Sequence, residues 1–270
     1  MQWRVLLPCL ALAGCIVHQP PLKTRPIVQD ADGQASVTAQ PPARAQFSLA
    51  ESQDVPRIDC GAKLSQEDDL VRSVIAQRVQ EGSYYAAYAQ VQALPAKVAS
   101  VAILRADILR RLGAPEAERW YEAMLDGCMA AQARHGLGLV AAERQDYALA
   151  RKHLTEASRL QPADSSVHND LGMVYLYLGQ DRQAEFELKT ASELAPNDRQ
   201  PALNLGLLAL LRGERATWWG MRERLSPTQD ERMSLDRLCR QISQRWSDMR
   251  SRLTAETPRT AVGCPVSPMQ

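Results

Sequence analysis

The chain has 270 residues, enough for one or two ordinary domains, and its 32 Lys and Arg against 31 Asp and Glu leave a formal net charge of +1. A charge so balanced leaves no electrostatic footprint for nucleic acid or for a strongly acidic substrate. Aromatics make up only 5% of the chain, Ala, Leu, Arg and Gln are plentiful, and no run alternates Val, Ile or Thr as a half-buried strand would, so helix is favoured over sheet.

The chain opens on a targeting signal. Arg4 gives a short basic start, and Val5 to Ala13 is an apolar run too short to span a bilayer as a mature helix. It ends in Leu12-Ala13-Gly14-Cys15, which resembles the bacterial lipobox, with residues 1–14 as the leader and Cys15 as the lipidated residue. The alternative is an ordinary signal peptide with a chance cysteine. Several acyl chains on one residue would anchor the protein stably in a membrane. Ile16, where lipoproteins kept in the inner membrane of many Gram-negative bacteria carry Asp, implies by that resemblance the outer membrane and its periplasmic face.

Residues 15–64 are rich in Pro, Gln, Ala and Asp, are broken by Pro20-Pro21 and Pro41-Pro42, and show no apolar period. They are expected to form a disordered tether, spanning roughly 40 Å as a flexible coil. Helical periodicity starts near Glu67, where Leu70, Val71, Val74, Ile75 and Val79 make one apolar face. Gly82 breaks this helix, Tyr84 to Leu94 makes a second, and Pro95 ends it. Lys97 to Leu112 and Glu116 to Leu125 form the next pair, with Gly113 at the turn, Pro115 at a helix start, and Trp120 and Tyr121 filling the contact left by a short deletion.

From there the sequence repeats. Leu171-Gly172 recurs as Leu137-Gly138 and as Leu205-Gly206, an offset of 34, and the same offset relates Pro162 to Pro196, Ala150 to Ala184, Leu154 to Leu188, Ala157 to Ala191 and Gly179 to Gly213. The small residues suit a close crossing of two helices, Gly179 suits a left-handed helix end, and Pro196 stops the second helix. This pattern resembles the tetratricopeptide repeat. It implies an all-α solenoid over residues 65–253, a right-handed superhelix of helical hairpins, with clear repeats at 131–164 and 165–198 and a partial one at 199–225. Trp218 stands where alanine is expected, which suggests closure of the stack there. A longer helix from about Thr228 to Arg252 is expected to pack over the last pair through Leu235, Leu238, Ile242 and Trp246, and residues 254–270 to form a tail.

Once Cys9 has left with the leader and Cys15 has taken lipid, Cys60, Cys128, Cys239 and Cys264 remain. None is in a close ligand spacing, so no metal site is expected. Either each end of the helical region is stapled to a nearby helix, Cys60 to Cys128 and Cys239 to Cys264, or all four stay thiols.

No catalytic residue stands out. His135, His153 and His168 fall on separate helices without a partner motif, the carboxylates are scattered as solvated faces, and the glycines are helix turns and not a phosphate loop, so neither an enzyme nor a cofactor is expected. What remains is the concave face. In tetratricopeptide proteins the first helix of each pair lines it, and the register places His135, Leu139, Asn169, Met173, Tyr177, Leu203, Asn204 and Leu207 there. Asn side chains could bond a peptide backbone above an apolar floor. The same positions also suit core between the helices of a pair. As a plan, lipobox, tether and repeats resemble the Tad-type (Flp) pilus assembly lipoprotein family TadD and other pilotin-like lipoproteins. That implies a protein partner, a secretin or another pilus assembly subunit, with membrane attachment through the N-terminal lipid. The alternatives are an adaptor for peptidoglycan hydrolases or for another envelope assembly complex and, from a different class, an enzyme acting on peptidoglycan or that enzyme's regulatory subunit.

Overall fold

The computed structural model describes residues 55–253 and Cys264. The expected leader, Cys15 and most of the tether lie outside the described residues, as does the tail apart from Cys264. The architecture is all-α and the hairpins follow one another in a stack. They are α1 (Gln66–Gln80) with α2 (Tyr84–Val91), α3 (Ala99–Arg111) with α4 (Glu116–Glu122), α5 (Ala130–Glu143) with α6 (Tyr147–Leu160), α7 (Ser165–Tyr177) with α8 (Asp181–Leu194), and α9 (Arg199–Arg212) with α10 (Arg215–Leu225). A long helix, α11 (Gln229–Leu253), follows. Within the stack each second helix also packs against the first helix of the next pair: α2 on α3, α4 on α5, α6 on α7, α8 on α9.

The repeat chemistry explains why these residues fold so. Asp164 and Asp198, 34 apart, cap α7 and α9 by accepting from the backbone N–H of Ser166 and Gln200. Thr228 and Glu231 form a reciprocal capping box at the start of α11, each side chain accepting from the other's backbone N–H. Inside the pairs, Gly138, Gly172 and Gly206 lie against Leu154, Leu188 and Trp218, and a Cβ on Gly172 would sit 2.7 Å from the Leu188 side chain. So Trp218 does occupy the alanine position, buried over Gly206. Each hairpin turns through one left-handed residue. At Gly179 (φ 71°) the conformation costs glycine little, but in the preceding repeat Gln145 adopts it at φ 64°.

Three expectations change. The tether ends earlier than residue 64. Asp59 makes a parallel β-bridge with Val98, donating its N–H to the Lys97 carbonyl, Cys60 is disulfide-bonded to Cys128, and Val55 and Ile58 pack on the core around Trp120 and Tyr121. Residues 55–64 therefore belong to the fold, because a covalent staple and a few apolar contacts outweigh a composition that reads as coil. On α1 the apolar face is not buried as a whole: Ile75 is enclosed, while Leu70 and Val74 are 68% and 48% exposed. Lastly, α11 covers only the α9 half of the last pair, through the expected Leu235, Leu238, Ile242 and Trp246. It packs on α9 and α7, and among the described residues it makes no packing contact with α10.

Candidate functional site

The expected concave row is assembled from α5, α7 and α9. Its polar members join into one ladder across the three helices. His135 Nε2 is 2.7 Å from Asp170 Oδ2, Asn169 donates to Asp170 Oδ1 at 3.3 Å, Asn204 donates to Asn169 Oδ1 at 2.8 Å, and Gln200 donates to Asn204 Oδ1 at 3.2 Å. The two bonds between repeats join residues 35 apart, His135 to Asp170 and Asn169 to Asn204, so one position of each first helix meets the next position of the following repeat.

The row splits into two parts. His135, Leu139, Asn169, Met173 and Tyr177 are half-buried and keep some surface, whereas Leu203, Asn204 and Leu207 are buried. Leu203 and Leu207 share a core cluster with Leu235, Cys239 and Ile242 of α11. The expectation that these three α9 residues face a ligand is therefore corrected. An amphipathic helix of the chain itself covers that stretch, through the same apolar positions that would have met a partner.

The end of α11 is fixed by contacts that no repeat pattern announces. Trp246 Nε1–H donates to the Leu176 carbonyl at 2.6 Å, Arg245 donates to the Tyr177 carbonyl at 2.9 Å, and the Arg245 guanidinium lies 4.6 Å from the centre of the Tyr147 ring. Tyr147 in turn stacks on Tyr177, ring centres 4.4 Å apart. These carbonyls lie in the last turn of α7, where side-chain donors take up acceptor capacity the helix leaves over; the Leu176 carbonyl also accepts from the Gly179 N–H. The signal available in the sequence was the adjacent pair Arg245-Trp246 closing an apolar stripe. Further back, Cys239 and Cys264 are disulfide-bonded, which ties the residue at 264 to the buried face of α11.

At the other end the row runs on into α3 and α4. Asp107 accepts from the Tyr121 hydroxyl at 2.5 Å, and burial pushes its carboxyl above the usual range despite that bond and the nearby Arg110. Burial also raises the Tyr121 phenol. Arg110 reaches across to Glu143 on α5 at 2.6 Å. His168 does not face the groove: its ring nitrogens meet Glu187 Oε2 at 2.6 Å and the Pro162 carbonyl at 3.0 Å, locking α7 to α8. Among the described residues no cluster of His, Cys, Asp and Glu has a metal-binding arrangement. A recess of about 980 Å³ opens beside the Cys60–Cys128 bridge, and none of the expected groove residues lines it.

Comparison with known proteins places this geometry. The tetratricopeptide repeat model matches residues 165–198. The TPR repeat-containing protein PA4299 of Pseudomonas aeruginosa is 41% identical over 172 residues, which cover 64% of this chain and 70% of the relative. Among solved structures, one reported in a functional characterisation of Pseudomonas aeruginosa pilF superposes with a TM-score of 0.52 at 20% identity, over 70% of this chain and 92% of the other.

Proposed function

The chain belongs to the tetratricopeptide-repeat proteins, as its Pseudomonas relative does, and on that premise we propose that it is a lipid-anchored scaffold whose inner row binds a segment of a secretin or another pilus assembly subunit at the outer membrane. The observation that carries this reading is the uncovered part of the row. His135, Asn169 and Asp170 form an ordered set of donors and acceptors beside Leu139 and Met173, held by the His135–Asp170 and Asn204–Asn169 bonds between repeats and the Asn169–Asp170 bond within α7. Such a surface offers hydrogen bonds to a peptide backbone and an apolar strip for alternate side chains. The α11 helix, already seated on α9, is an internal example of the helical segment this face accepts. Binding and positioning suffice for the proposed role, and no bond is made or broken.

The lipid and the membrane enter through Leu12-Ala13-Gly14-Cys15. The test is to replace Cys15 with Ala and follow secretin multimers by membrane fractionation. Loss of the multimers from the outer-membrane fraction is expected, and normal multimers there would overturn the secretin role. Capture with the intact chain and with an Asn169→Ala, Met173→Ala variant then separates partners. Pilus subunits lost on substitution support the reading, and peptidoglycan hydrolases retained in their place would point to the adaptor role.

A further inference from the structure

The two ends of the stack leave open the two faces that meet between successive pairs inside it. In α7, Val167, Leu171 and Val174 are buried, and Leu171 and Val174 share a cluster with Tyr147, Ala150 and Leu154 of the preceding α6. Aligning the left-handed turn residues Gly82 and Gly179 puts Leu70, Val74 and Gln77 of α1 at those same three positions. No helix of the described residues precedes α1, and Leu70 and Val74 stand in solvent with Val71 beside them, 39% exposed. α1 is thus a first helix of a pair that presents the face with which every later first helix grips its predecessor.

At the other end the situation is reversed. At one repeat position, α4, α6 and α8 each hold the end of the next first helix or the turn that follows it. Glu118 takes Arg144, Arg151 reaches Gln180, and Glu185, with Asp181, takes Arg212. On α10 that position is Trp219, 54% exposed, with the Arg222 guanidinium 4.7 Å from its ring centre. Because α11 lies on α9 and α7, the outer face of α10 stays open, and a recess there is lined by Trp219, Gly220, Arg222, Pro227 and Arg232.

We propose that copies of this chain join end to end, with α1 of one copy seated on α10 of the next, continuing the packing of second helix on first helix across the join. The charges agree. Inside the chain acidic Asp181 and Glu185 hold basic Arg212. At the join the residue in register with Asp181 is Arg215 and the one in register with Arg212 is Glu81, so the pair recurs with its signs exchanged. Elsewhere α1 brings Glu67, Asp68 and Asp69 in its first turn, with Arg72 bound to Asp69, while α10 brings Arg222 and Arg224 among Glu214 and Glu223. The contact is heterologous, using two different surfaces, so it propagates into rows or rings and does not stop at a dimer.

The test uses the full chain with its native disulfides. Gln77→Cys and Trp219→Cys variants of different tagged length are mixed and mildly oxidised, Gln77 being the exposed α1 residue in register with Val174, which packs on α6 beside Ala150. Both positions are exposed, so each variant should melt as the parent does. A covalent dimer of mixed length is expected, roughly tenfold more abundant than the product of either variant alone, as a contact between two unlike surfaces requires. Self-linking of one variant as readily as the mixture, or no link at any concentration up to the solubility limit, overturns the proposal. In the same assay Arg215→Glu should cut the mixed product several-fold and Glu81→Arg on the opposing copy should restore it. A cut without restoration refutes the register.

Discussion

The first helices α5 and α9 carry the same repeat positions on their inner sides and meet opposite fates. On α5, His135 and Leu139 keep part of their surface, while on α9 the register equivalents Leu203 and Leu207 are sealed. Nothing in the repeat itself separates them. The difference comes from α11, which folds back along α9 and anchors on the end of α7. Concavity alone therefore does not make a binding surface. The chain's own closing helix fills part of the trough, and only the part it leaves is available to another protein.

The strongest way to break that contrast is to remove the anchor. Trp246→Ala deletes the indole beside Gly179 and its bond to the Leu176 carbonyl. A loss of about 3 kcal/mol is expected, toward the low end for a large aromatic because Trp246 is only partly buried. Thermal unfolding should start several degrees earlier, and hydrogen exchange in α9 should rise to the level of α5. An unchanged exchange pattern would mean that α11 is held by something else. Next in size is Cys264→Ser, which opens the bridge to Cys239. A closed loop of this kind is worth about 2–4 kcal/mol, with 2 expected here since α11 keeps its apolar contacts. The check is the denaturation midpoint with and without reductant: reductant should shift the parent and leave this end of the variant unaffected.

How far the sequence reveals this contrast follows from range. The pairs, their turns and the glycine contacts rest on neighbours within one repeat length, so Gly172, Gly179, Asp164 and the caps can be read from spacing. Trp218 was visible as a break in pattern, and it does fill the site over Gly206. The position of α11 depends on which of two apolar surfaces its stripe prefers, α10 or the inner side of α9 and α7, and periodicity is silent on that choice. The same holds for α1, whose Leu70 and Val74 have the right spacing for a core but have no preceding repeat among the described residues to complete it. The staple at Cys60 explains the misplaced tether boundary: composition describes how much a segment can bury, while one covalent bond decides whether it is held.

A smaller effect sharpens the comparison between neighbouring repeats. Gln145 and Gly179 are equivalent turn residues, both left-handed, and only Gln145 carries a Cβ there. Gln145→Gly should stabilise the chain by roughly 0.5–1 kcal/mol, since the conformational cost removed exceeds the freedom glycine adds to the unfolded chain. The measurement is a rise of about 2 °C in the melting midpoint, and a fall would show that the Gln145 side chain makes a contact worth more than its strain.

The least of these effects concerns the uncovered end of the row, where Asp107 sits beneath Tyr121. Burial raises its carboxyl in the folded state, so the fold binds that proton more tightly than the unfolded chain does. Its contribution to stability is then complete below the ordinary carboxylate range and is lost as pH rises through the folded value. Asp107→Asn keeps an acceptor for the Tyr121 hydroxyl and cannot ionise. Parent and variant should be closest in stability near pH 3.5, with the variant gaining steadily on the parent up to pH 7 in denaturant titrations at matched ionic strength. If the parent gained instead, the Tyr121 bond and the Arg110 charge would outweigh burial, and the carboxylate would be an asset of the open end rather than a cost carried by it.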